Sequence, residues 1–148
     1  MNASFAFALA GLISAGAVLA VQAPINGTLA RHAGDATFAA CINFLVGFLV
    51  MGSVVVVRGA WPATGFLASA PSWAWVGGAL GGFYITMMVT MIPITGAQTA
   101  AMAGILGQLA TAMVLDHFGA FGLPVHPITW QRIVGLLMVA SGVLMSRS

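Results

Sequence analysis

From Gly59 to Leu115 the chain contains no Asp, Glu, Lys or Arg. This stretch is too long for one membrane-spanning helix, because a hydrocarbon core of about 30 Å needs only about 20 apolar residues. Its length suits two spans and a connector, and the segment GAWPATGFLASAPS has the prolines and glycine of a connector. Over the whole chain 61% of the residues are hydrophobic and 4% are charged, which leaves too little polar surface for a soluble globule. The sequence therefore predicts an all-α integral membrane protein.

Five transmembrane helices are predicted from the apolar runs and the residues that interrupt them. Pro93 and Gly96 separate the two spans of the uncharged stretch, and Arg58 closes the run that precedes it. The four tryptophans all fall at predicted span ends, as is typical of the aromatic belts at membrane interfaces. We expect a single domain over residues 1–148, with helices at about 5–25, 36–57, 73–92, 96–115 and 128–146.

The arginines bear on how the chain inserts into the membrane. With five spans, Arg58 and Arg132 fall on one side and Arg31 and Arg147 on the other. An excess of Lys and Arg on one side of the membrane sets the orientation of a membrane protein, so an even distribution of arginines does not favour either orientation. We therefore predict dual topology, in which copies insert both ways and pair as an antiparallel homodimer. The alternative is one orientation, set by hydrophobicity or by the helix that inserts first.

Three segments carry a family resemblance: QAPINGTLARHAGDATFAACINFLVG, GGALGGFYITMMVTMIPITGAQTAAMAGILGQLATAMVLDHFGAFGLP and RIVGLLMVASGVLM. Their specific pieces are the Gln-x-x-x-Asn of Gln22 and Asn26, the Pro-x-x-Gly at Pro93, and a Gly-Gln followed by Asp-x-x-Gly. In these motifs, and over nearly its whole length, the chain resembles the YdcZ-like family, a five-helix branch of the drug/metabolite transporter superfamily. The resemblance implies a transporter of the bacterial inner membrane. Larger members of the superfamily contain two inverted five-helix repeats, so the resemblance also implies that two antiparallel copies form a ten-helix bundle.

Polar side chains inside the predicted spans are the candidates for a substrate site. A polar group without a partner in hydrocarbon costs several kcal/mol, so such side chains should face a watery cavity or the protein interior. Gln22 and Asn26 share a helix face, and Pro24 and Gly27 are expected to break the helix there, as happens at many transporter sites. The alternative is that this stretch is the fraying end of the first helix. The predicted substrate-binding residues are Gln22, Asn26, Asn43, Tyr84, Gln98 and Gln108, for which hydrogen bonding between helices is the alternative interpretation.

Glycines on the third and fourth predicted helices indicate close helix packing. Small residues four positions apart let two helix backbones approach each other in a membrane. The sequence does not decide whether the helix that packs on these glycines belongs to the same chain or to the second copy. The predicted packing positions are Gly77, Gly78, Gly81, Gly82 and Gly104.

The titratable residues narrow the function further. The chain has no Glu, and Asp35 and Asp116 lie at predicted span ends. Exchange at a central membrane carboxylate is therefore disfavoured, and a neutral, zwitterionic or anionic substrate fits better. The three histidines lie beside these aspartates and loops and are expected to be solvated rather than to bind metal, while Arg132 is a candidate ion-pair partner of Asp116. We predict no cofactor, no metal and no enzyme activity, since no nucleophile and base share a helix face, and no nucleic acid, since there is no basic cluster.

A small-molecule transporter is therefore the predicted function. Its expected partners are the lipid bilayer, a second antiparallel copy and a small solute. Two alternatives stay open: a dual-topology ion channel in which Asn43, Tyr84 and Thr side chains replace ion hydration, and a structural or regulatory membrane subunit.

Overall fold

The computed structural model describes residues 3–146, which form helices joined by turns and short loops. Arg147, one of the four arginines in the charge count, lies outside the described residues. The chain forms two compact units, which divide between Thr90 and Met91. The single five-helix domain expected from the sequence stays a prediction.

Five helices carry the apolar runs. They are α1 (Ala3–Ala33), α2 (Ala36–Arg58), α4 (Val76–Thr95), α5 (Ala97–Phe118) and α6 (Trp130–Met145), and the connector before α4 contains the short α3 (Phe66–Ser69). Among the described residues, four segments are long and apolar enough to cross a membrane: Leu12–Ala33, Ala36–Arg58, Ser72–Thr95 and Ala97–Phe118. Helix α6 has 16 residues and rises about 24 Å at 1.5 Å per residue, which is less than the thickness of the hydrocarbon core. The fifth span therefore stays a prediction.

Helix α1 continues through QAPING, where a break or a fraying end was expected. Pro24 lies inside the helix, and the Thr28 hydroxyl donates a hydrogen bond to the Pro24 carbonyl at 3.0 Å. Pro24 cannot donate a hydrogen bond to the carbonyl of Ala20, four residues earlier, and membrane helices tolerate the loss of one such bond. The expected break is wrong, and so is a first helix that ends near residue 25. In α1, which runs from Ala3 to Ala33, Gln22 and Asn26 lie in the C-terminal half.

In the N-terminal unit, α1 and α2 form an antiparallel helical hairpin. Only two residues connect them, a glycine with a left-handed backbone, Gly34 (φ 77°), and Asp35. Asp35 caps α2, because its Oδ1 accepts a hydrogen bond from the Phe38 backbone N–H at 2.6 Å. The first turns of α2 bury Ala39 and Ala40, and their small side chains allow the two helices to approach closely.

Two of the predicted packing glycines lie where α4 meets α2. A Cβ atom on Gly81 would lie 3.2 Å from Cζ of Phe44, and one on Gly82 would lie 4.0 Å from Cε2 of the same ring. At Gly77 and Gly78 no atom of the described residues comes within 4 Å of such a Cβ. Gly104 is half-buried on α5. The glycine pattern of α4 therefore has one part covered by Phe44 and one part uncovered.

In the C-terminal unit, α5 and α6 form a second antiparallel pair that is tied at both ends. At one end the Thr99 hydroxyl donates to the Ser146 carbonyl and accepts from the Ser146 hydroxyl, both at 3.1 Å. At the other end Arg132 and Asp116 form an ion pair, which confirms the partner suggested for Asp116. Between the ends the helices approach closely, since a Cβ on Gly142 would lie 2.8 Å from Cε of Met102.

Candidate functional site

Four of the predicted substrate-binding residues lie together in the N-terminal unit. Gln22 and Asn26 belong to α1, Asn43 to α2 and Tyr84 to α4. Nε2 of Gln22 donates to Oδ1 of Asn43 over 3.5 Å, while Gln22, Asn26 and Tyr84 line one small cavity. We call these four residues the amide cluster.

Asn26 is the buried member of the amide cluster, with 5% of its surface exposed. Gln22 of α1 pairs with Asn43 of α2, and the two helices run in opposite directions. The position four residues after Gln22 on α1 therefore lies opposite the position four residues before Asn43 on α2, so Asn26 is at the height of Ala39, which is 0% exposed. The Asn26 amide has no hydrogen-bond partner among the described residues. Among the described residues, no side-chain nitrogen or oxygen is both fully buried and without a hydrogen-bond partner. The polar atoms of the unpaired Asn26 amide are therefore not fully buried, and they are open to the cavity that Asn26 lines.

The cavity beside Asn26 is small and mostly apolar. Its volume is about 30 Å³, which admits a water molecule. Its other walls are formed by Leu19, Ala23, Ile85, Met88 and Val89. A solute larger than water would need α1 and α4 to separate in this region.

The other two predicted substrate residues, Gln98 and Gln108, lie on α5 in the C-terminal unit. Both side chains are exposed, and neither has a hydrogen-bond partner in the part of the chain that the structure describes. An unpaired amide in contact with lipid is costly, so these positions favour contact with water or with another polypeptide. Their role as substrate contacts stays a prediction.

A second and larger cavity lies between α5 and α6, and sequence reasoning did not find it. Its volume is about 400 Å³, and it is lined by Leu109, Ala112, Met113, Asp116, Arg132, Gly135 and Leu136. We call it the α5–α6 groove. The sequence signal that could have located it is a pair of opposite charges at the facing ends of two consecutive helices, Asp116 near the end of α5 and Arg132 in the first turn of α6.

The charged end of the α5–α6 groove is built from both helices and the loop between them. Nη1 of Arg132 lies 3.2 Å from Oδ2 of Asp116 and also donates to the His126 carbonyl at 3.4 Å. The His126 backbone N–H donates to the Asp116 carbonyl at 2.9 Å. The Asp116 and Arg132 side chains are 31% and 37% exposed, so the pair is accessible from the groove.

The histidine beside this pair has a local structural contact. Nδ1 of His117 accepts a hydrogen bond from the Ile128 backbone N–H at 3.3 Å, which ties the loop to the end of α5. Within residues 3–146 there is no group of three or more His, Cys, Asp and Glu residues that could hold a metal ion.

Comparison with known proteins identifies the family. The family model described as "Putative inner membrane exporter, YdcZ" matches residues 7–145, a range that includes the amide cluster and the α5–α6 groove. "Inner membrane protein YdcZ" of Escherichia coli (strain K12) is 28% identical over 141 residues, which cover 94% of this chain and 94% of that relative. No solved structure matches the chain. The chain therefore belongs to the YdcZ family of inner membrane exporters, and it is a multi-pass protein of the inner membrane in contact with the lipid bilayer.

Proposed function

We propose that this protein exports a small solute and that the amide cluster forms part of the substrate path. The observation that carries the proposal is the Asn26 amide, which is 5% exposed, lines a cavity and has no partner among the described residues. Because the amide is open to the cavity, its donor and acceptor atoms are available to a solute. A binding function explains why a helix able to span the membrane carries such a group.

The proposed substrate is neutral, zwitterionic or anionic. The amide cluster offers hydrogen-bond donors and acceptors without charge. Both aspartates of the chain lie at helix ends, Asp35 as the cap of α2 and Asp116 near the end of α5. A purely cationic solute would therefore meet no carboxylate in the middle of a span.

The proposed assembly is an antiparallel homodimer of the drug/metabolite transporter type, with ten helices and dual topology. The even split of the four arginines supports it. So do the uncovered glycines Gly77 and Gly78 and the exposed amides Gln98 and Gln108, because a second copy that packed on these positions would cover them.

Two reporters on the C-terminus test the topology, one active only in the cytoplasm and one active only outside it. We expect signal from both fusions at comparable expression. Signal from one fusion alone would contradict dual topology, and the inverted partner would then have to be a different chain.

Transport by the purified protein in liposomes tests the function. A panel of neutral, zwitterionic and anionic solutes would be offered to wild type, to Asn26→Leu and to Gln131→Leu, a matched amide-to-leucine change at an exposed position of α6. We expect saturable uptake that Asn26→Leu reduces at least tenfold and Gln131→Leu leaves within twofold. Flux that does not saturate would identify a channel instead, and no flux of any solute would contradict transport.

A further inference from the structure

The α5–α6 groove has the size and lining of a small-molecule site. Its volume of about 400 Å³ lies within the range of about 300–1,000 Å³ that is typical of ligand pockets. Five of its lining residues are apolar or glycine, and Asp116 and Arg132 are the charged ones. A ligand in this groove would lie along an apolar wall and meet both charges at one end.

The Asp116–Arg132 pair leaves much of its hydrogen-bonding capacity unused. Only one nitrogen of Arg132, Nη1, contacts the carboxylate, through Oδ2, whereas a bidentate pair would use two nitrogens and both oxygens. Oδ1 of Asp116 and both Nε and Nη2 of Arg132 make no hydrogen bond within the described residues. The pair therefore has an acceptor for a ligand ammonium group and donors for a ligand carboxylate.

The charges of the pair discriminate between classes of ligand. A carboxylate without an amine would bind Arg132 but place a second negative charge beside Asp116. An amine without a carboxylate would meet the corresponding repulsion from Arg132. A molecule that carries both groups adds no net charge and forms charge-assisted hydrogen bonds, which are about twice as strong as neutral ones, to both partners.

We propose that the α5–α6 groove binds a small zwitterion, with an ammonium and a carboxylate group close together on an apolar body, and that the exported solute is of this class. The second half of the inference rests on the proposed export function. The ethanolamine headgroup of a phospholipid shares the combination of an ammonium with an acidic group, so the experiment separates a free solute from a lipid.

Binding is measured on the purified full-length chain in nanodiscs of phosphatidylcholine and phosphatidylglycerol. The probes are radiolabelled L-leucine and L-phenylalanine. The competitors are 4-methylpentanoate, which is leucine without its amine, and 3-methylbutylamine, which is leucine without its carboxylate. We expect saturable binding of at least one probe, and at least tenfold weaker competition by each single-charge analogue than by unlabelled leucine.

Three variants connect this binding to the pair. Asp116→Asn and Arg132→Gln should each weaken probe binding at least tenfold, and Asp116→Glu should restore it to within threefold of wild type. Asp116→Asn should also favour 4-methylpentanoate relative to 3-methylbutylamine, because it removes the repulsion on a carboxylate, and Arg132→Gln should do the reverse. A pair that only fastens the ends of α5 and α6 would not change this selectivity.

Matched controls make the same charge changes away from the groove. Asp35→Asn keeps a good helix cap on α2, and Arg58→Gln removes an arginine from the same predicted side of the membrane as Arg132. Both should bind the probes within twofold of wild type. Circular dichroism and size-exclusion chromatography establish that all variants are folded.

The outcomes are distinguishable. Absence of probe binding, or equal binding by wild type, Asp116→Asn and Arg132→Gln, overturns the groove proposal whether or not the protein transports another solute. Displacement of the probes by phosphatidylethanolamine in the nanodiscs identifies a lipid headgroup as the occupant and also overturns it. Specific binding of a probe that liposomes fail to transport supports the groove and contradicts export of that class.

Discussion

The side-chain amides of Gln22 and Asn43 meet between α1 and α2, with 3.5 Å between Nε2 and Oδ1. Hydrogen bonds between membrane helices stabilise them by only about 0.6 kcal/mol on average, so the main consequence of this contact is positional. The contact fixes the register between α1 and α2, and in this register Asn26 lies opposite the fully buried Ala39. The open amide of Asn26 follows from that register.

The free energy of unfolding should respond to Asn26→Leu in the opposite direction to transport. The variant loses no hydrogen bond seen within the described chain and replaces an amide in a mostly apolar cavity by an apolar side chain, so its unfolding free energy should stay unchanged or rise by up to about 1 kcal/mol. Thermal unfolding in detergent and uptake into liposomes check the two quantities. A variant that loses stability and transport together would indicate that Asn26 joins helices in the assembled protein.

The contact between Gln22 and Asn43 should appear as a small coupling energy. In a double-mutant cycle with leucine at both positions, we expect about 0.6 kcal/mol and no more than about 1.7 kcal/mol. Denaturant unfolding of the wild type, the two single variants and the double variant supplies the cycle. A second cycle between Gln22 and Ser53, which lies ten residues beyond Asn43 on α2 and so about 15 Å along the helix, is the control and should be additive. A coupling near zero for Gln22 and Asn43 would contradict the contact.

Within one copy of the chain, alanine should be tolerated better at Gly78 than at Gly81. A Cβ on Gly81 lies 3.2 Å from the Phe44 ring, whereas Gly78 has no described atom within 4 Å of its added Cβ. We expect the unfolding free energy of Gly81→Ala to be about 1 kcal/mol lower than that of Gly78→Ala. The double variant Gly81→Ala with Phe44→Leu should recover most of the difference, since the smaller side chain can retreat. Equal thermal stability of the two glycine variants, measured on the monomer in detergent, would contradict the packing of Phe44 on α4.

Removal of single arginines should shift membrane orientation in opposite directions. Arg31 and Arg58 lie in the last turns of α1 and α2, on opposite predicted sides of the membrane. The four arginines are divided evenly between the two predicted sides, so Arg31→Gln and Arg58→Gln should each leave an excess of one arginine on one side. The side with the excess differs between the two variants. The ratio of the two C-terminal reporter signals measures the shift. Equal ratios in wild type and both variants would show that arginine does not set the orientation.

The ion pair between Asp116 and Arg132 should contribute little to stability. About a third of each side chain is exposed, and exposed pairs contribute about 0–1 kcal/mol. Asp116→Asn should therefore lower the unfolding free energy by less than about 1 kcal/mol, with a smaller effect at high salt. A loss above about 3 kcal/mol is expected of a fully buried pair and would contradict an open groove.

The sequence predicted some helix ends and missed others for local reasons. The boundary between α4 and α5 at Gly96 follows from the proline and glycine that interrupt the apolar run. The end of α1 was missed because Pro24 suggested a break, and a membrane helix accommodates a proline that a soluble helix seldom does. Of the predicted site, Gln22, Asn26, Asn43 and Tyr84 lie together in the structure, but nothing local in the sequence distinguished them from Gln98 and Gln108.

The sequence by itself determined the solvent of this chain, its all-helical class and most of its helix positions. These properties depend on local hydrophobicity and on residues that interrupt helices, both of which can be read along the chain. Only the tertiary structure decided that Asn26 is buried beside a cavity and that Arg132 meets Asp116 at one end of a groove. The physical reason is that lipid is as apolar as a protein core, so the apolar pattern of a membrane helix does not show which face meets lipid and which meets another helix.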